Sequence, residues 1–243
     1  MAWKIIELET CSSTSTMVKQ YLQAGTLADK TAIMAAFQDS GRGQGDHSWH
    51  SKPHENLLVS FFRETNFAAS ESFFLTMITS LAVRNLLNNL GIDCQIKWPN
   101  DIYFQYKKIA GILIENSLLR DRIIHTIAGI GLNVNQTEFP EEIPNPVSMK
   151  NIHENTFPVK ELCLSLTQHI DTLWEDFEKG KKDIIYHEYV SLIYRLKEWH
   201  PYGLKNRILN GRILGVEPNG RLLFETSEGQ LLHLEFGEIS YLL

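Results

Sequence analysis

The sequence has few cysteines, and none of them forms a paired motif. Cys11, Cys94 and Cys163 are the only three among 243 residues, and no two have Cys-x-x-Cys spacing. An odd number of widely spaced cysteines argues against a disulfide framework and against a zinc–cysteine cluster. We therefore expect three reduced thiols buried in the core.

The chain also lacks an excess of positive charge and a long apolar run. Its net charge is -6 and its pI is about 5.9, so no general attraction to nucleic acid or anionic membranes is expected. Residues 1–10 mix charges with apolar residues, unlike a secretory leader. We expect a cytoplasmic protein with no nucleic-acid or membrane partner.

No internal repeat or low-complexity tract is present, and the 43% hydrophobic content is enough for a globular core. Apolar periodicity and the positions of glycine and proline predict alternating helices and short strands. The predicted helices cover residues 12–24 (ending at Gly25), 70–90 (ending at Gly91), 159–177 and a segment after Gly180; the predicted strands cover 31–38, 56–62, 94–104, 108–116 and 123–135; a proline-containing surface loop covers 137–158.

The composition changes again from about residue 206. Short apolar runs alternate there with Asn-Gly, Pro-Asn-Gly and Glu-Gly, which are typical of tight β-hairpins. This pattern predicts a small C-terminal β-barrel. We therefore expect an α+β fold with a larger domain over residues 1–195 and a small domain over 196–243.

The stretch "GRGQGDHSW", residues 41–49, indicates an anion-binding loop. Glycines allow backbone N–H groups to approach an anion closely, and the Arg42 guanidinium supplies a forked cation. It does not match a phosphate-binding GxxxxGK[ST] loop, and Asp46 stands where a dinucleotide-binding GxGxxG motif needs glycine. A flexible surface turn is the alternative interpretation.

Two further motifs carry polar residues close to predicted strands. In "KWPNDIYFQYKK", Lys97 and Lys108 flank a Trp-Pro-Asn-Asp corner, so a hairpin would bring both ammonium groups and Asp101 together. In "GIGLNVN", Asn133 and Asn135 lie two residues apart, on the same side of a continuing strand. Taken separately, each motif could be an ordinary turn or strand end.

Taken together and in order, the segments "SSTST", "FQDSGRGQGDHSW", "KWPNDIY", "KIAGILIEN", "GIGLNVN" and "GEIS" closely resemble the biotin protein ligase family over nearly the whole chain. The resemblance implies a catalytic domain related to class II aminoacyl-tRNA synthetases, with a mixed β-sheet and flanking helices, and an SH3-like C-terminal domain. It also implies that ATP and biotin form biotinyl-5′-AMP with Mg²⁺. The biotin is then transferred to a lysine of a biotin carboxyl carrier protein, from acetyl-CoA carboxylase or a related carboxylase.

The family motifs imply roles for individual residues of this chain. Lys108 would bridge the biotin carboxylate and the α-phosphate, Trp49 would lie over adenine, and Asp101 would be a base or an orienting group. Residues 41–52 would form a lid. The implied biotin contacts are Ser13, Thr14, Gln38, Gly41, Arg42, Gly43, Lys108 and Gly111; the implied nucleotide contacts are Arg42, Gln44, Trp49, Lys97, Asn100, Asn133 and Asn135; the implied catalytic residues are Arg42, Lys97, Asp101 and Lys108.

The sequence departs from the family pattern at three positions. Ser15 replaces a common asparagine, Asp46 a usual glycine, and Leu242 a common arginine. No metal-binding residue is assigned. A zinc site at His47, His50 and His54 is a minor alternative, because no fourth ligand is evident.

Two other functions remain open at this stage, as does the oligomeric state of monomer or homodimer. A lipoate ligase would adenylate a different acid by the same chemistry. A non-catalytic regulator would bind biotin or nucleotide without turnover. No basic helix-turn-helix region precedes the first strand, so we expect the form of the family without an N-terminal DNA-binding domain.

Overall fold

The computed structural model describes residues 2–45, 47–204 and 207–242, and places their strands in two sheets. The strands are β1 (Lys4–Cys11), β2 (Thr31–Gln38), β3 (Leu57–Ala68), β4 (Gln95–Lys97), β5 (Asp101–Phe104), β6 (Lys107–Leu119), β7 (Arg122–Leu132), β8 (His200–Leu204), β9 (Arg207–Val216), β10 (Leu222–Thr226), β11 (Leu231–Leu234) and β12 (Ile239–Tyr241); the helices are α1 (Thr14–Gln23), α2 (Ser72–Asn89), α3 (Met149–His153), α4 (Val159–Glu178) and α5 (Lys182–Ser191).

The larger sheet has seven strands in the order β1-β2-β3-β7-β6-β5-β4. β1 and β2 pair in parallel, and all the other neighbours are antiparallel. The predicted mixed sheet and its hairpins are therefore confirmed. No strand was predicted at the position of β1. It is an edge strand exposed on one side, and its charged residues hide the apolar alternation.

Helices cover both faces of the larger sheet. Leu57, Val59 and Phe61 of β3 face one core, which also contains α2, α4 and α5. Phe62 faces the opposite core, where it packs with Val18 of α1. Because successive side chains of a strand point to opposite faces, β3 supplies both cores and fixes the position of α1 relative to the larger helical layer.

The predicted helix ends are confirmed, but the segment 137–158 needed a correction. Gly25 and Gly91 have φ angles of 66° and 79° and end α1 and α2 in the left-handed conformation that glycine favours. The predicted surface loop contains the short helix α3. Ser148 caps this helix by accepting a hydrogen bond from the backbone N–H of Asn151 at 3.1 Å. Prolines on both sides obscured this turn of helix.

The second sheet has the order β11-β10-β9-β8-β12 and is antiparallel throughout. The predicted β-rich C-terminal domain is consistent with an SH3-like fold, although the described strands do not close into a barrel. Its core is continuous with that of the larger sheet. Trp98 Nε1 donates to the carbonyl of Gly220 at 2.9 Å, and Tyr186 OH donates to the carbonyl of Val216 at 2.7 Å. The boundary at residue 195 stays a prediction.

The three cysteines are free and buried, as expected. Burial raises the pKa of both Cys94 and Cys163 to about 12, so these thiols are protonated at neutral pH. Within the described ranges, every helix is too short or too polar to cross a bilayer.

We predict that Gly220→Ala destabilises the junction between the two sheets more than Gly229→Ala does. Both glycines have positive φ angles, 96° and 81°, so either alanine costs about 1–2 kcal/mol in backbone strain. Only at Gly220 would the new Cβ also lie 2.6 Å from the Phe73 ring, which packs edge-on against Tyr189. That overlap adds roughly 1–3 kcal/mol.

Urea unfolding of both variants measures this difference. The expected order of the free energy of unfolding is wild type, then Gly229→Ala, then Gly220→Ala. Equal losses in the two variants would contradict the packing of Phe73 against this turn.

Candidate active site

A cavity of about 780 Å³ opens on the face of the larger sheet that also carries α1. Ser60 of β3, Gly129 and Gly131 of β7, and Gly111 and Leu113 of β6 line it side by side. The residues between them on β6 and β7, such as Ile112 and Ile130, face the opposite core. The strand order therefore sets the floor of the cavity directly beside α1.

The floor is low because the residues at its centre are glycines, which have no side chains. Gly111 and Gly131 are directly paired across β6 and β7. The Trp49 indole lies against this pair: a Cβ atom on Gly131 would be 2.3 Å from Trp49 Cε2, and one on Gly111 would be 3.0 Å from Trp49 Cζ3. Alanine at Gly131 is thus incompatible with this position of Trp49.

Hydroxyl and amide groups line the cavity at the start of α1. Gln38 Oε1 accepts a hydrogen bond from the backbone N–H of Thr14 at 2.7 Å. The Thr14 and Ser60 hydroxyls are 2.8 Å apart, and the Ser13 and Ser15 hydroxyls are 3.0 Å apart. All four hydroxyl-bearing residues are buried. This part of the cavity therefore holds a preformed set of donors and acceptors for a neutral polar ligand group.

Charged groups collect on the other side of the cavity, at β4, β5 and β6. The predicted hairpin brings Lys108 Nζ to 2.7 Å from Asp101 Oδ1. Lys108 Nζ also lies 5.6 Å from the centre of the Trp49 ring, within cation–π range. The Asn100 amide donates to the carbonyl of Ile112 and ties the Trp-Pro-Asn-Asp corner to β6.

Lys97 is surrounded by tyrosines from both sheets. Its Nζ donates to Tyr103 OH at 3.1 Å and lies 5.0 Å from the ring centres of Tyr103 and Tyr241. Burial lowers the pKa of Lys97 from the ordinary 10.5, and the Asp101 charge opposes that shift. Tyr241 belongs to β12, so the C-terminal sheet contributes to the environment of this lysine.

The glycine-rich loop forms a short antiparallel turn over the floor. Arg42 and Ser48 form an isolated bridge, and the N–H of Gly43 donates to the carbonyl of His47 at 2.7 Å. Gly41 does not line the cavity, because the carbonyl of Trp49 lies over it, 2.4 Å from where a Cβ atom would be. Asp46, noted above as a departure, lies outside the described residues.

The segment after β7 begins as an exposed loop, as predicted, and it also forms a wall of the cavity. Phe139, Glu142 and Ile143 line the cavity, and Lys108 N–H donates to the carbonyl of Asn145 at 2.8 Å. This wall is therefore hydrogen-bonded to the same strand position that carries the Lys108 ammonium.

The two asparagines of "GIGLNVN" are not equivalent, because β7 ends at Leu132 before either of them. Asn133 lines the cavity, and its amide donates to the carbonyl of Val147 at 3.1 Å. The Asn135 side chain instead both donates to and accepts from the Phe157 backbone at 2.9 Å. Asn135 therefore holds a loop and does not line the cavity, and its expected nucleotide contact stays a prediction.

Thirteen residues expected at the site line the cavity, and two do not. Those that line it are Ser13, Thr14, Gln38, Arg42, Gly43, Gln44, Trp49, Lys97, Asn100, Asp101, Lys108, Gly111 and Asn133; those that do not are Gly41 and Asn135.

Part of the floor and the aromatic side of the cavity were not predicted from the sequence. Gly129 and Gly131 were detectable, because glycines two residues apart in a strand clear the same face. No local signal pointed to Ser60, Tyr103 or Tyr241, since only the paired strands bring them to the cavity.

The described part of the chain contains no group of three or more His, Cys, Asp or Glu side chains able to hold a metal ion. His54 pairs instead with Glu9 at 3.0 Å. The zinc alternative at His47, His50 and His54 therefore receives no support from the geometry.

The sequence and structure match known proteins over most of the chain. Residues 7–133 match the Biotin/lipoate A/B protein ligase family, and residues 203–242 match the Biotin protein ligase C terminal domain. The bifunctional ligase/repressor BirA of Bacillus subtilis is 30% identical over 242 residues, with 94% of this chain and 71% of that protein covered. BirA of Escherichia coli is 31% identical over 129 residues, with 52% and 40% covered.

A solved structure extends this similarity to three dimensions. The biotin protein ligase from Aquifex aeolicus in complex with biotin and ATP superimposes with a TM-score of 0.79 at 29% identity, and 98% of this chain and 97% of that chain are covered. The chain belongs to the biotin/lipoate protein ligase family, as its sequence motifs indicated.

We predict that Gly131→Ala displaces Trp49 and exposes the glycine-rich loop, whereas Gly129→Ala does not. A Cβ atom at Gly129 would meet its nearest neighbours at 3.5 Å, an ordinary contact, although it adds the same volume to the floor. Limited trypsin cleavage after Arg42 measures loop exposure. We expect faster cleavage in Gly131→Ala alone, and equal rates in both variants would contradict the placement of the indole.

Proposed function

We infer that the protein is an ATP-dependent biotin–protein ligase that activates biotin as biotinyl-5′-AMP and transfers it to a lysine of a biotin carboxyl carrier protein. The family membership and the similarity to a ligase bound to biotin and ATP support this function. The observation that carries the assignment is the cavity itself. It combines buried hydroxyl and amide groups beside α1 with Lys97 and Lys108 across the sheet and with Arg42 of the glycine-rich loop.

The neutral polar part of the cavity fits the biotin head group. A ureido ring presents one carbonyl acceptor and two N–H donors, and hydroxyls can serve as either partner. Ser13, Thr14 and Gln38 supply these groups. Hydrogen bonds to the Ser15 hydroxyl, the Ser60 hydroxyl and the backbone N–H of Thr14, respectively, fix their directions before the ligand binds. The Gly129 end of the floor, away from the Trp49 indole that lies on Gly111 and Gly131, then accepts the ring system and the aliphatic chain of biotin.

The cationic part fits the reacting groups. In the first step a biotin carboxylate oxygen attacks the α-phosphorus of ATP, the bond from that phosphorus to the α–β bridging oxygen breaks, and pyrophosphate leaves. Two anions must approach each other, so Arg42, Lys97 and Lys108 stabilise the negative charge on the phosphate oxygens in the transition state. Asn100, Asn133, Gln44 and Trp49 complete the nucleotide side of the cavity.

The carboxylates that line the cavity are of the type that binds Mg²⁺ together with ATP. Asp101 and Glu142 are the carboxylates that line the cavity in the described residues. Mg²⁺ in nucleotide sites is usually held by one or two carboxylates together with phosphate oxygens and water. When bound, the ion would neutralise charge on the departing pyrophosphate, and Asp101 and Glu142 are its proposed protein ligands.

In the second step the carrier lysine attacks the biotinyl carbonyl, its C–O bond to AMP breaks, and AMP leaves. A lysine of ordinary pKa, about 10.4, is mostly protonated at neutral pH and must lose a proton first. Asp101 accepts that proton or orients the amine. Lys108 Nζ, which is proposed to act in the first step, lies 2.7 Å from Asp101 Oδ1, so the residues of the two steps are in direct contact.

The remaining expectations stand as parts of the same proposal. The carrier belongs to acetyl-CoA carboxylase or a related carboxylase, and the reaction takes place in the cytoplasm. The state of assembly, monomer or homodimer, stays a prediction. Adenylation assays with lipoate in place of biotin, and pyrophosphate exchange as a test of turnover, distinguish a lipoate ligase and a non-catalytic regulator from this function.

We predict that Lys108→Ala abolishes biotin-dependent exchange between ATP and pyrophosphate, with an unchanged fold. It removes a charge facing the transferred phosphate, while Lys107→Ala removes a neighbouring charge that does not line the cavity. The expected loss is at least about 100-fold for Lys108→Ala, and less than about twofold for Lys107→Ala. Near-normal exchange by Lys108→Ala would show that another group supplies this charge.

We also predict an alkaline limit on exchange set by Lys97. Because burial lowers the pKa of Lys97, its ammonium loses its proton at a lower pH than an ordinary lysine. As the pH rises, the rate should therefore begin to fall before the pH reaches 10.5, the ordinary pKa of lysine. In Lys97→Arg the guanidinium stays charged, so the alkaline limit should move upward whatever the absolute rate. An unchanged pH profile in Lys97→Arg would assign the limit to another group.

A further inference from the structure

Glu115 joins two cations from different elements beside the cavity. Its Oε1 accepts a hydrogen bond from Lys19 Nζ of α1 at 2.7 Å and one from Arg42 Nη1 of the glycine-rich loop at 3.2 Å. Glu115 lies on the same face of β6 as Gly111 and Leu113, so it stands just beyond the cavity floor. Of the two residues that donate hydrogen bonds to it, Arg42 lines the cavity and Lys19 does not.

The carboxylate end of these contacts is more buried than the two cations that it binds. The Glu115 side chain is only 20% exposed, while Arg42 and Lys19 are 46% and 43% exposed. The second oxygen, Oε2, is buried and has no hydrogen-bond partner among the described residues. A carboxylate held in this way needs nearby cations, because removing charge from water without compensation is costly.

Arg42 needs an external partner to hold a fixed direction. It stands between two glycines in a loop, and a long side chain in that setting has many rotamers. The bond to Glu115 uses one of five guanidinium N–H donors. The remaining donors stay available to a ligand, and Arg42 lines the cavity.

We propose that Glu115 is a positioning residue for Arg42, which it aims at the phosphate of biotinyl-5′-AMP, and that Lys19 balances the carboxylate charge. This rests on the proposed function. Lys19 and Arg42 together exceed the single negative charge of Glu115, so the carboxylate directs the guanidinium without repelling the phosphate. Fixing Arg42 in advance removes part of the ordering cost of binding, which strengthens retention of the reactive intermediate.

The experiment measures release of preformed biotinyl-5′-AMP from the enzyme by rapid filtration. Glu115→Met keeps a side chain of similar length but removes the acceptor, and we expect release about tenfold faster. Glu115→Gln keeps an acceptor oxygen and should recover part of that loss. Glu225→Met is the matched control, because Glu225 is 22% exposed and also pairs with an arginine, Arg212, which unlike Arg42 does not line the cavity.

A double-mutant cycle with Arg42→Gly separates positioning from structural damage. If Glu115 acts through Arg42, Glu115→Met has no further effect on release in the Arg42→Gly background. An equal fold-change in both backgrounds, or unchanged release in Glu115→Met alone, would overturn the proposal. Normal retention by Arg42→Gly would also overturn it, together with the role proposed for Arg42. If the wild-type protein shows no biotin-dependent exchange between ATP and pyrophosphate, the proposed function itself is rejected.

Discussion

The close pairing of backbone at Gly111 and Gly131 is the constraint on which the cavity depends. Without side chains on this face, β6 and β7 leave a shallow floor into which the Trp49 indole fits. Trp49 in turn determines where the glycine-rich loop crosses the sheet, and the loop determines where Arg42 can reach. The pairing of β6 and β7 thus limits the position of Arg42, although Arg42 belongs to neither strand.

Local patterns in the sequence predicted most elements, because each helix and hairpin satisfies its own periodicity and turn chemistry. Helices α1, α2 and α4 follow from apolar spacing and glycine ends, and α5 was expected only as a segment after Gly180. Strand β1 and helix α3 did not, since an exposed edge and flanking prolines mask their patterns. The formation of β1 and α3 depends more on their contacts with the rest of the fold than on their own residue patterns.

The site was predictable as far as its residues lie in motifs. The chemistry of Lys108 and Asp101 followed from their position in one hairpin, and the structure brings them into contact. The difference between Asn133 and Asn135 could not be seen, because it depends on where β7 ends and on the Phe157 backbone. Tyr241 and Glu115 likewise become visible only through contacts between segments far apart in sequence.

The position of Tyr241 has a consequence for how the protein is made. A chain emerging from the ribosome completes the seven-stranded sheet before β12 exists, since synthesis proceeds from the N-terminus. Until Tyr241 packs beside Lys97, that lysine lacks one of the two tyrosine rings beside it. The charged side of the cavity is therefore complete only once the final sheet has docked.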